Sequence, residues 1–105
     1  MQNANNKKMA TASIEFWKSR KRFHDLCQSM KENGKCNEIL LFGSVARGEE
    51  TENSDIDFAF FSKSKHISEM LEIIESFKNI SKLAHVVFFP VGMKNKILSQ
   101  GGLPI

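Results

Sequence analysis

The sequence predicts an α/β (α+β) domain in which helices pack on a small mixed β-sheet. Its 105 residues suffice for a single domain with a modest core, and 41% of them are hydrophobic. Three short apolar runs, at 38–42, 56–61 and 83–89, alternate with segments in which apolar residues recur at three- and four-residue steps. Such an alternation of strands and helices is typical of an α/β sandwich around a small mixed sheet.

The first predicted element is an amphipathic helix over residues 13–33. Ser13 is the expected N-cap, and Gly34 is the expected residue just beyond the C-terminus of the helix. Residues 1–12 carry positive charge but lack the apolar segment of a secretory signal, so we expect a flexible N-terminal tail. The domain is therefore predicted to occupy residues 13–105.

The remaining elements follow from apolar runs and their boundaries. A buried strand ends at a glycine, a second strand follows a polar loop, and a third strand is stopped by a proline. Between the last two strands, apolar residues at i, i+3, i+4 and i+7 predict a helix, and a short helix closed by glycines is expected last. In order, these are strand 38–42, strand 56–61, helix 67–77, strand 83–89 and helix 93–102.

Charge and cysteine content narrow the class of protein. Residues 1–36 carry a balance of +5, residues 37–75 one of −6 and residues 76–105 one of +4, which sum to the net +3. Basic ends could attract nucleic acid, but no aromatic residues interleave with them, so nucleic acid is a disfavoured partner. No apolar run approaches the roughly 20 residues of a membrane span. Two cysteines are too few for a disulfide framework, which favours the cytoplasm.

The segment LFGSVARGEETENSDIDFAFF, residues 41–61, carries the candidate chemistry. It is not a P-loop, because Glu49 stands where that motif requires lysine. Gly43 permits a tight turn and close approach of a ligand to the backbone. The helical turn that follows offers free N–H groups, the Ser44 hydroxyl adds a donor and Arg47 adds a charge-assisted contact, all of which suit phosphate.

Asp55 and Asp57 lie two residues apart at the start of the second strand. Their side chains should therefore point to one face, while Ile56 and Phe58 point to the core. Two carboxylates beside a phosphate-binding turn form an oxygen site suited to Mg²⁺. The segment is thus interpreted as a site for Mg-NTP.

These residues resemble a known family. GSVARGEETENSDIDFAFF is similar to the signature of the DNA polymerase β-like nucleotidyltransferase superfamily, above all its minimal, single-domain, antitoxin-type members, and KILSQGGLPI resembles their closing helix. The similarity covers about residues 38–105. It implies transfer of a nucleoside monophosphate, AMP above all, from an NTP to an acceptor with release of pyrophosphate.

The resemblance also implies roles and partners. Gly43 and Ser44 would hold the β- and γ-phosphates, and Asp55 and Asp57 would bind the metal. Arg47 and Ser54 would support the loop by phosphate contact or hydrogen bonding. Minimal members act with a small helical partner of the HEPN type, as the antitoxin half of a toxin–antitoxin pair. The apolar face of the first helix, with Phe16 and Trp17, is a candidate surface for docking or self-association.

The third strand departs from the family pattern. Family members carry a third carboxylate there, whereas this sequence has His85 and no acid after Glu75. Three interpretations stay open. His85 could act as a metal ligand, for which Mn²⁺ suits better than Mg²⁺, or as a general base. A carboxylate of the acidic loop or of a partner could fill the position. Alternatively, the domain binds nucleotide or a partner without catalysing transfer.

Overall fold

A computed structural model describes residues 11–105 of the chain. Six helical segments, one of them a single 3₁₀ turn, accompany four strands in this part of the chain. The elements are α1 (Thr11–Lys18), α2 (Arg20–Glu32), β1 (Glu38–Phe42), α3 (Gly43–Arg47), β2 (Ile56–Phe61), α4 (Ile67–Lys78), β3 (Ala84–Phe89), the 3₁₀ turn Val91–Met93, α5 (Lys94–Ser99) and β4 (Leu103–Pro104).

The four strands form one mixed sheet in the order β3-β2-β1-β4. β1 runs antiparallel to both β2 and β4, and β2 runs parallel to β3 through the α4 crossover. The predicted mixed sheet with helices packed on it is confirmed, and the predicted bounds of β1 and β2 are those observed.

Each face of the sheet carries its own apolar cluster, because side chains alternate along a strand. The larger cluster joins one face to α1, α2 and α4, and it includes a group of phenylalanines whose rings lie 4.7–6.3 Å apart: Phe16, Phe23, Phe58 and Phe77. The smaller cluster joins the opposite face to α5 through Leu40, Ala59, Phe61 and Ile97. Both faces of β2 are therefore buried.

The predicted first helix is two helices. The chain bends at Ser19, whose φ of −106° and ψ of 11° depart from helical values. Phe16 of α1 and Phe23 of α2 both reach the core, and their rings lie 6.2 Å apart. The prediction of Ser13 as N-cap is wrong, because Thr11 and Ala12 are already helical and Ser13 is a buried residue inside α1.

The boundary between α2 and β1 follows the prediction. Gly34 has a φ of +72° and its N–H donates to the Lys31 carbonyl, while the Lys35 N–H donates to the Met30 carbonyl. These two bonds form a Schellman motif, which satisfies helix-end carbonyls and requires a left-handed residue. The sequence therefore ends the helix where glycine stands.

The C-terminal segment holds a strand that the sequence prediction missed. After α5 the chain turns at Gly101, with a φ of +99°, and Leu103 and Pro104 pair with Leu41 and Leu40 of β1.

The flexible tail predicted for residues 1–12 lies mostly in residues 1–10, outside the described part of the chain. Both cysteines are free, Cys27 buried and Cys36 half-buried. Across residues 11–105, no helix is long and apolar enough to cross a membrane.

Candidate active site

The turn after β1 places Gly43 against a carboxylate. Phe42 pairs with Asp57 in the β1–β2 register, so the next residue, Gly43, lies beside Asp57. Gly43 has a φ of +77°, and a Cβ added to it would lie 3.2 Å from both Cβ and Cγ of Asp57 and closer still to Oδ2. The Asp57 carboxylate therefore packs directly on the glycine backbone. Only glycine meets both conditions at this position.

The parallel pairing of β2 and β3 places His85 beside Asp57 on the other side. The two residues are register partners, and Nδ1 of His85 lies 3.0 Å from Oδ1 of Asp57. Because an ionised carboxylate only accepts hydrogen bonds, the ring nitrogen donates in this bond. The Asp57 side chain is 23% exposed and that of His85 is 57% exposed, so the pair is open to a ligand on the His85 side.

Asp55 completes a group of three potential ligands. One ligand atom each from Asp55, Asp57 and His85 lies within 4.8 Å of the other two. Ile56, between the two aspartates, and Phe58 are fully buried, as the predicted alternation along β2 requires. Two carboxylate oxygens and an imidazole nitrogen at this spacing suit a divalent cation. The acidic loop adds no ligand to this group within residues 11–105.

Hydrogen bonds hold the loop that leads into Asp55. The Thr51 N–H donates to Oγ of Ser54 at 2.9 Å, and the Ser54 N–H donates to the Thr51 carbonyl at 3.1 Å. These reciprocal bonds close a turn immediately before the first aspartate. Ser54 thus has a hydrogen-bonding role in the loop, which is one of the two roles that the sequence analysis considered for it.

Arg47 is held at the end of α3 from two directions. Its Nε donates to Oε1 of Glu49 at 2.9 Å, and its Cγ lies close enough to Gly101 that a Cβ there would approach it to 3.0 Å. The C-terminal turn therefore packs on Arg47, a contact that the sequence analysis missed. The only sequence signal for this contact was the pair of consecutive glycines, Gly101 and Gly102.

Ser44 lies at the start of α3 and is half-buried. Its carbonyl accepts the Glu49 N–H at 2.9 Å. The role of its hydroxyl in binding phosphate stays a prediction.

Only part of the candidate docking surface on the first helix is exposed. Phe16 is 3% exposed and belongs to the core, so it is not a surface residue. Trp17 is 61% exposed, packs edge-on against Phe16 at 5.3 Å and lies 5.7 Å from the Arg20 guanidinium carbon. The exposed part of this surface is therefore Trp17 with its neighbour Ile14.

The domain combines a mixed sheet, a glycine turn after β1, and a group of Asp55, Asp57 and His85 at the starts of β2 and β3. This arrangement is the one expected of the nucleotidyltransferase class, and comparison with known proteins agrees. The family model described as "Polymerase beta, Nucleotidyltransferase" matches residues 24–101, which is more than half of the chain. The chain belongs to this family, and the predicted resemblance is confirmed.

Two curated proteins are similar to this chain in sequence, and one solved structure is similar to it in fold. Two curated proteins of Methanocaldococcus jannaschii, both named "Putative protein adenylyltransferase", are 46% identical over 54 residues and 39% identical over 57 residues. These matches cover 49% and 50% of this chain, and 54% and 66% of the relatives' own lengths. A crystal structure of a "putative nucleotidyltransferase" from Sulfolobus solfataricus matches 94% of this chain and 90% of its own, with a TM-score of 0.50 and 20% identity. This likeness shows the shared fold.

Proposed function

We propose that this chain transfers a nucleoside monophosphate, AMP above all, from an NTP to an acceptor and releases pyrophosphate. The observation that carries the proposal is the position of Asp57, packed on the Gly43 turn on one side and bonded to His85 on the other. A phosphate-binding turn and a cation-binding group would then share one carboxylate. Family membership supports the reaction class, and the names of the two curated relatives support AMP and a protein acceptor.

The residues of the turn are suited to hold a triphosphate. Gly43 carries no side chain, so phosphate oxygens could approach the backbone N–H groups at the start of α3. Ser44 offers a hydroxyl at the start of α3, and Arg47 brings a positive charge whose position is fixed by Glu49 and Gly101. These groups would bind and orient the leaving pyrophosphate, while the hydrogen-bonded turn between Thr51 and Ser54 would support the loop that leads into Asp55.

The two aspartates would hold a divalent metal ion, Mg²⁺ or Mn²⁺. Their oxygen ligands fit such an ion, and the cluster with His85 is compact enough for one cation. When bound, the ion would neutralise phosphate charge and polarise the phosphoryl group for attack. The Asp57 carboxylate also fixes the His85 ring by accepting its Nδ1–H.

A second candidate function is favoured by one specific observation. His85, not a carboxylate, faces Asp57 on β3, so the cluster carries one negative charge fewer than the family pattern. A domain of this kind could bind nucleotide or a partner protein without catalysing transfer. The resemblance to antitoxin-type members supports a small helical HEPN-type protein as that partner, or as the acceptor of AMP.

Incubation of the pure protein with α-labelled NTPs separates the two functions. The assays contain Mg²⁺ or Mn²⁺ and are run with and without a cell extract, while calorimetry measures NTP binding in parallel. Transfer of label to a protein, an RNA or a small molecule supports the transferase. NTP binding without any transfer in either metal supports the binding module and contradicts the proposed reaction.

A further inference from the structure

The ligand group at the strand starts contains two kinds of donor atom. Asp55 and Asp57 offer carboxylate oxygens and His85 offers an imidazole nitrogen, all within 4.8 Å of one another. The β2–β3 register makes Asp57 and His85 neighbours, so the sheet itself sets the position of the imidazole nitrogen. The cluster is therefore a preformed oxygen–nitrogen site and not an all-carboxylate one.

An imidazole ligand changes the cation that such a cluster prefers. Mg²⁺ takes oxygen ligands and retains much of its water, whereas first-row transition ions accept imidazole readily. A metal-bound imidazole is neutral, so the cluster contributes two negative charges where three carboxylates would contribute three. The lower charge weakens binding of a hard cation most, because that binding is mainly electrostatic. Both effects act against Mg²⁺.

We propose that Asp55, Asp57 and His85 bind a first-row transition-metal ion of the Mn²⁺-to-Zn²⁺ class in preference to Mg²⁺, and that His85 sets this preference. The inference deepens the proposed function, on which it rests for the use of the metal in transfer. Binding of the ion itself depends only on the three side chains.

The distance between His85 and Asp57 suits two ligand atoms of one ion. Nδ1 of His85 lies 3.0 Å from Oδ1 of Asp57, and neighbouring ligand atoms about 2.1 Å from an octahedral ion are about 3 Å apart. In the absence of an ion, the Nδ1–H donates to this carboxylate, and an ion held by both atoms would take the place of that proton. The proposal therefore assigns Nδ1 of His85 as a ligand atom and does not assign His85 as the general base.

The test uses Mn²⁺ as the probe, on the full chain without nucleotide. Electron paramagnetic resonance counts the bound Mn²⁺ ions, and electron spin echo modulation detects the ¹⁴N nucleus of a coordinated imidazole. We expect one Mn²⁺ per chain, ¹⁴N modulation in the wild-type protein and displacement by Mg²⁺ only at large molar excess. The proposal is overturned if Mn²⁺ does not bind, if it binds without ¹⁴N modulation, or if Mg²⁺ competes equally.

Three variants assign the effect to His85. His85→Ala should bind Mn²⁺ at least about 10-fold more weakly and lose the modulation, since even indirect supports of a ligand change metal affinity by about 10- to 100-fold. His85→Asp should lose the modulation and accept Mg²⁺ as an effective competitor. His66→Ala, at an exposed histidine just before α4, should behave as wild type. Wild-type selectivity in His85→Asp would overturn the proposal, whereas a failed transfer assay would leave this measurement unaffected.

Discussion

Two features require glycine at position 43: its positive φ and the close approach of the Asp57 carboxylate. The sequence indicates only the first of them. A glycine after an apolar strand indicates a turn, and the φ of +77° agrees with that prediction. The contact of its Cα with the Asp57 carboxylate depends on the β1–β2 register, which a sequence pattern does not give. The grouping of Asp55 with Asp57 was predictable from their two-residue spacing. The alignment of His85 with them was suggested by family resemblance, and its bond to Asp57 needed the structure.

The first residue-scale prediction separates backbone strain from the loss of the site. Gly43→Ala and Gly34→Ala both place a side chain on a left-handed residue, at a cost of about 1–2 kcal/mol each. Only Gly43→Ala also displaces the Asp57 carboxylate, because a Cβ at Gly34 meets nothing within 4 Å. We expect Gly43→Ala to lose at least as much thermal stability as Gly34→Ala, and we expect ATP binding, measured by calorimetry, to be lost in Gly43→Ala alone. Equal ATP affinity in the two variants would contradict the role of the turn.

At the scale of elements, local signals located the strands better than they located the helix break. β1 and β2 were predictable because each is a short apolar run bounded by polar or glycine residues. The bend at Ser19 carries no proline or glycine, and the apolar spacing continues through it. β4 is only two residues long, and it exists because β1 offers an open edge to pair with. Such long-range pairing has no signature in the sequence.

An element-scale prediction concerns Glu38 at the start of β1. Burial of its carboxyl acts to raise the pKa, but hydrogen bonds from Lys31 and the Ile39 N–H, the charge of Lys31 and a hydrogen bond from Lys94 outweigh burial. The pKa of Glu38 is therefore lowered. Since the folded chain binds this proton less readily than the unfolded chain, the stabilisation is present above the ordinary glutamate pKa. It is lost as the pH falls through the lowered value.

We therefore expect Glu38→Gln to lower the free energy of unfolding at pH 7 by about 1 kcal/mol or less, because both lysines are partly exposed. The deficit should shrink as the pH falls below the ordinary glutamate pKa and through the lowered pKa of Glu38, because the wild-type carboxyl then also becomes protonated. Urea unfolding at several pH values measures it, with the exposed Glu72→Gln as the control. A deficit that stays the same from neutral pH down through the acid range would show that the ion pairs do not cause it.

At the scale of the whole molecule, the N-terminal helices cover the sheet that positions the site. Phe23 of α2 is fully buried and contacts Phe58 of β2, one residue beyond Asp57, with ring centroids 4.7 Å apart. The amphipathic pattern predicted a buried face on this helix. Phe16, seven residues before Phe23, lies on that face and reaches the core, whereas its neighbour Trp17 is 61% exposed.

This packing predicts a large difference between two aromatic truncations. Phe23→Ala should lower the free energy of unfolding by about 3–5 kcal/mol, since it leaves a cavity under β2. Trp17→Ala should change it by less than about 1 kcal/mol, because Trp17 is mostly exposed. Circular dichroism should follow unfolding, as Trp17 is the only tryptophan for fluorescence. Comparable losses in the two variants would contradict the placement of these helices.

The central claim is that the Asp57 site is a nucleotidyl-transfer centre. Its most direct test is whether Asp57→Asn still transfers the labelled AMP group from α-labelled ATP. This variant removes a charge from a half-buried position and should keep the fold. The matched control is Asp25→Asn, an exposed residue of α2 bonded to Lys21. We predict that transfer is abolished in Asp57→Asn and unchanged in Asp25→Asn, with equal thermal stability. Transfer by Asp57→Asn at the wild-type rate would contradict the claim.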